Sequence, residues 1–187
     1  MKAKKWMAVS LTLLMAFLPT LPSFAEKESI SGETLSDISQ NCSSIKLQLE
    51  RTQKEDTRQR VLLGAQYETI SSNMMQNLNL RLVRNNLANA DLSIQQTSFF
   101  SERERFKADF IGYSQEMDKL LAIDCRAKPD KFYEQLQLTR QKRKDVYDST
   151  YRLRELVKKH YDAVNAYKDE LYNKTNTSGT EEPKEGN

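Results

Sequence analysis

Cys42 and Cys125 are the two thiols of the chain, and His160 is its single imidazole. With the carboxylates, these are the groups that could carry nucleophilic, acid–base or metal chemistry. A Cys–His nucleophile needs a free thiol, and a helical metal site needs a second ligand at a spacing such as Glu-x-x-His. Val157 stands three residues before His160, so that position offers no ligand and His160 is read as a core histidine. Two cysteines behind a secretion leader are read as one disulfide, which removes both candidate nucleophiles. Glu102, Glu104 and Asp109 read as ordinary helix-surface carboxylates, with nothing to select an acid–base pair. Five glycines leave no phosphate-cradling loop. No catalytic residue, cofactor or metal ligand is assigned, and the chain is read as a non-enzyme.

The densest charge is Arg140-Gln141-Lys142-Arg143-Lys144. The span 126–172 holds 12 basic and 8 acidic residues, and 85–125 holds 4 and 7, so part of this charge is assigned to complementarity between neighbouring helices. Arg140, Lys142 and Lys144, with Tyr147 and Tyr151, form the candidate surface for a protein partner, with weak contact to an anionic surface as a second use.

Residues 1–25 are read as a signal peptide: Lys2, Lys4 and Lys5 precede the apolar run Trp6–Leu18, then Pro19, Pro22 and the small-residue exit Ser23-Phe24-Ala25. That run is shorter than the roughly 20 apolar residues a spanning helix needs, and no later stretch is apolar enough, so no transmembrane segment is expected after cleavage. The whole chain carries 29 basic and 26 acidic residues, but the leader holds three of the lysines and no acid, so the remainder balances at 26 and 26. The apparent basicity belongs to the leader, and overall charge gives no support for nucleic-acid binding. A secreted or extracytoplasmic location follows.

The elements that must position these residues are helical. No proline falls between Pro22 and Pro129, and the chain is rich in Leu, Gln, Arg, Lys, Glu and Ala. Apolar residues recur every three or four positions along three segments. The first carries Ile38, Cys42, Ile45, Leu49, Leu63, Tyr67, Ile70, Met74, Leu78 and Leu82, with Thr52, Asp56 and Gln59 as a polar gap. The second carries Leu92, Phe99, Phe106, Phe110, Tyr113, Met117 and Leu120, and the third runs from Phe132 to Leu171. Ser36 or Asp37 is expected to cap the first helix, Asn85-Asn86 to turn the chain, and Pro129 to open the third helix. A capping box at Ser101-Glu102-Arg103-Glu104 offers a later start for the second, but would leave an unusually long loop, so the continuous helix is preferred. The fold class is all-α: an elongated up-down-up three-helix, coiled-coil-like bundle over 36–172, with a flexible segment at 26–35 and a disordered tail at 173–187.

The midpoint of Cys42 and Cys125 falls at Val83–Arg84, beside the turn, so the thiols are expected to face each other at the open end of a helical hairpin. Counting up from that end brings Asp56 level with Arg143, and the two are expected to pair inside the bundle as a register-fixing ion pair.

Arg60-Val61-Leu62-Leu63-Gly64-Ala65-Gln66-Tyr67-Glu68-Thr69-Ile70, Leu78-Asn79-Leu80-Arg81-Leu82-Val83-Arg84-Asn85-Asn86-Leu87, and Asp124-Cys125 followed by Pro129 and Phe132-Tyr133 resemble uncharacterised exported helical proteins of ultrasmall host-attached bacteria. The resemblance implies a helical envelope protein and carries over no site. The expected function is a non-catalytic secreted or surface-associated bundle, a protein-binding or structural envelope component, with a holdase-like envelope chaperone as the alternative.

Overall fold

The computed structural model describes residues 30–178, with side chains to residue 176; the signal-peptide assignment at 1–25 lies outside the described residues. They are helical almost throughout, and no strand occurs among them. In place of three unbroken helices there are five α-helices, α1 (Gly32–Gln40), α2 (Cys42–Glu68), α3 (Asn77–Arg84), α4 (Ala90–Ala122) and α5 (Pro129–Ser178), with a π-helical segment (Thr69–Gln76) between α2 and α3.

The first helix starts earlier than the sequence suggests. Ser31 is its cap: the hydroxyl accepts the Thr34 N–H at 3.2 Å, so Ser36 and Asp37 lie inside α1, and residues 32–35 of the stretch expected to be flexible are helical. Asn41 separates α1 from α2; its side-chain amide and its backbone N–H both donate to the Asp37 carbonyl at 3.0 Å.

The π-helical segment corrects the apolar stripe. Its wider turn takes up extra residues, so positions beyond it rotate relative to an α-helical count. Met74, expected in the seam, is 61% exposed, whereas Met75 is 1% exposed; Ser71 and Asn79 are also buried. Asn79 is satisfied by donating to Gln96 Oε1 at 2.6 Å and the Leu92 carbonyl at 3.3 Å.

Asn86 adopts a left-handed conformation (φ 57°) and ends α3. Leu87 N–H donates to the Leu82 carbonyl at 2.8 Å and Asn86 N–H to that of Val83 at 3.1 Å, the paired bonds of a Schellman motif. Asn89 then caps α4, accepting the Leu92 N–H at 3.0 Å; Ser101 sits well within that helix. The connection to α5 is shaped by the Asp124 carboxylate, which accepts the N–H groups of Arg126 and Ala127. These two bonds hold Asp124 below its ordinary pKa. Pro129 opens α5, where its missing N–H costs nothing. That helix continues to Ser178, past the expected boundary at 172, with Thr175 bonded to the Leu171 carbonyl and a Glu170–Lys174 pair along its last turns.

Contacts between helices fix their relative placement. Gln53 meets Asp118, Glu68 meets Arg103 and Asn79 meets Gln96, so numbers fall along α4 as they rise from α2 to α3. Along α4 and α5, Glu116 meets Gln135, Asp109 meets Ser149 and Glu102 meets Arg152. Cys42 and Cys125 are disulfide-bonded, with Cα atoms 5.5 Å apart. Their 83-residue separation corresponds to about 4.5 kcal/mol of removed chain entropy in the loop-closure model.

The core divides in two. One cluster surrounds the cystine and includes Ile38, Phe110, Tyr113, Met117, Leu120 and Phe132. The other contains Tyr67, Met75, Phe99, Phe106 and Leu153. Val146 packs against both. On α2 the interval between them is occupied by Thr52, Asp56 and Gln59, whose short or polar side chains supply no apolar seal.

Candidate functional site

At that polar interval a groove of about 480 Å³ opens between α2 and α5. Core side chains of α4, Phe106, Phe110 and Tyr113, close it below and are 3%, 7% and 1% exposed, while the half-buried Leu63 and Val146 line the sides. Asp56, Gln59 and Arg60 form the α2 wall, while Arg140, Arg143, Lys144 and Tyr147 form the α5 wall. Both walls follow the i, i+3, i+4, i+7 spacing of one helix face, Asp56 to Leu63 opposite Arg140 to Tyr147.

The walls are joined at Asp56. Arg143 donates from Nε to Asp56 Oδ2 and from a terminal nitrogen to Oδ1, both at 2.8 Å. Tyr113 Oη donates to the same Oδ2 at 2.6 Å. Burial, and then the Asp56 carboxylate, push the Tyr113 hydroxyl well above the usual tyrosine range; Asp56 likewise raises Arg143. The sequence placed this ion pair inside the bundle. It lies instead on the groove wall, with the Arg143 side chain 56% exposed and that of Asp56 18%. The polar interval keeps α2 from sealing against α5, so water reaches the guanidinium, and an exposed pair of this kind contributes at most about 1 kcal/mol.

The cations differ in how far they are already satisfied. Lys144 pairs with Asp148 at 2.6 Å, which raises its pKa. The Arg60 guanidinium lies over the Phe110 ring, 5.3 Å from its centroid. Arg140 has no ion-pair or hydrogen-bond partner among the described residues.

Of the five residues the sequence nominated as a partner surface, Arg140, Lys144 and Tyr147 line the groove, while Lys142 and Tyr151 do not. Lys142 turns to Asp145 at 3.4 Å, because two residues along a helix rotate a side chain to another face. Tyr151 lies beyond the last lining residue, Thr150. Sequence reading treated Phe106, Phe110 and Tyr113 as seam and gave Arg60 no role. The signal that locates the groove is the Thr52–Asp56–Gln59 gap, facing aromatic residues on α4.

His160 is buried, its Nδ1 without a hydrogen-bond partner among the described residues, and burial lowers its pKa. No group of three His, Cys, Asp or Glu side chains among the described residues is placed to hold a metal ion. No described helix is long and apolar enough to cross a membrane. No protein-family model, curated protein or solved structure matches this chain.

Proposed function

We propose that the protein is a non-catalytic, secreted or surface-associated helical bundle that binds another protein through the groove between α2 and α5. In this reading α1 to α3 act as one arm, and the chain forms an up-down-up, three-helix, coiled-coil-like bundle closed at one end by the cystine. The falling and rising residue pairs along the helices support that topology. The observation that carries the functional reading is a groove lined by arginines and the exposed Tyr147, since aromatic and arginine side chains are enriched where proteins meet. The leader-like first 25 residues and the disulfide support an extracytoplasmic setting.

Site-specific photocrosslinking tests it. Tyr147 and Tyr172 are equally exposed, at 67% each, and only Tyr147 lines the groove. Benzoylphenylalanine at position 147 is expected to capture one discrete envelope protein that the same probe at 172 does not. Equal capture at both positions, or none at 147, overturns the reading.

A holdase-like chaperone is the second reading. It is supported by the apolar side chains of Met74, Val83, Leu87 and Ile94, exposed on the segments flanking the Asn86 turn. Suppression of client aggregation at stoichiometric amounts, lost on Val83→Lys and Ile94→Lys, would favour it over a single-partner protein.

A further inference from the structure

We infer that the groove selects an acidic peptide segment carrying a large apolar side chain between its carboxylates, an inference that rests on the partner-binding reading above. Charge complementarity carries it. Four cations line the groove against one lining carboxylate, Asp56, and that carboxylate is already held by Arg143 and Tyr113. Lys144 is neutralised by Asp148. Arg60, which lies over the Phe110 ring, and Arg140 therefore stand on opposite walls with no carboxylate of their own among the described residues.

A guanidinium takes a carboxylate through paired N–H donors. The apolar lining left accessible, Leu63, Val146 and Tyr147, takes what the cations cannot, an aromatic or branched aliphatic side chain. Each wall spans eight residues of helix, seven rises or roughly 10 Å, which matches about three residues of extended peptide. The occupant is thus a short run such as Glu-Phe-Glu.

The test is fluorescence anisotropy of labelled peptides against the full chain. Glu-Phe-Glu-Leu-Glu is expected to bind, while Lys-Phe-Lys-Leu-Lys and Glu-Ser-Glu-Ser-Glu bind at least tenfold more weakly. Arg60→Gln and Arg140→Gln are each expected to weaken binding about threefold to fivefold. Lys158→Gln, on an exposed pair with Asp162 outside the groove, leaves it unchanged. Equal binding of the three peptides, or equal effects of Arg140→Gln and Lys158→Gln, overturns the inference. So do phosphatidylglycerol vesicles that displace the peptide with the same arginine dependence, which would reassign the groove to a lipid surface. Crosslinking of a partner at position 147 with no acidic-peptide binding removes this inference alone; loss of both removes the partner-binding reading as well.

Discussion

Arg143 grips both carboxylate oxygens of Asp56 across 87 residues of sequence, at 2.8 Å on each side. The same carboxylate receives the Tyr113 hydroxyl, so three helices meet at one acid. Because Arg143 is largely exposed, the contact stabilises less than its geometry suggests. Asp56→Asn is expected to cost about 1 kcal/mol in urea unfolding. The coupling energy in an Asp56→Asn/Arg143→Gln double-mutant cycle should stay below roughly 1 kcal/mol. A coupling of several kcal/mol would mean that the pair is far drier than its exposure indicates.

The π-helical segment makes a sharp distinction between adjacent methionines. Met75→Ala should lower stability by about 2–5 kcal/mol, the cost of emptying a fully packed site. Met74→Ala should change it by less than about 0.5 kcal/mol. A larger loss at 74 than at 75 would restore the α-helical count and contradict the segment's geometry.

Asn86 tests the turn. With its φ of 57°, glycine is the better residue, and Asn86→Gly is expected to raise stability by a few tenths to about 1 kcal/mol. Asn86→Val should lower it by about 1–2 kcal/mol, since a β-branched side chain is strained there. Thermal unfolding of the two variants should bracket the parent; a midpoint raised by the valine would contradict the left-handed assignment.

His160 gives the expected pH dependence. Burial lowers its pKa in the folded state below the ordinary 6.5, so between these two values the unfolded chain binds more protons than the folded one. Stability must therefore fall as pH drops below about 6.5, and the loss saturates once pH passes below the folded-state value. Urea midpoints at pH 7.5 and 5.5 should differ more for the parent than for His160→Gln. Identical pH slopes for the two proteins would show that His160 titrates alike in both states.

Much of the helical architecture was legible because its signals are local. The proline-free interval, the Asn-rich turn and Pro129 each act through the backbone within a few residues. The cystine end was legible from two residue types and a compartment argument. What escaped the sequence was whatever depends on how a helix is wound or how far apart two helices stand. An α-helical count puts Met74 in the seam, and no propensity marks Thr69–Gln76 as π-helical. Reading Thr52, Asp56 and Gln59 as filler likewise missed that a polar interval can hold two helices apart, and that the aromatic seam beneath it then becomes a floor. Arg60 illustrates the same limit: its use depends on the ring of Phe110, 50 residues away, which only the folded arrangement brings under the guanidinium.

The bond between Cys42 and Cys125 also determines where mechanical load travels. Tension applied between α1 and α5 passes from residue 42 directly through the sulfur bridge to residue 125, and the intervening loop of chain is a covalent ring outside the force path. Under pulling, α2 through α4 would keep their length while α1 and α5 peel, and the extension released would fall short by the whole ring. A protease cut at the exposed turn around Asn86 would open that ring without separating its halves, leaving a two-chain molecule of nearly unchanged mass until the disulfide is reduced.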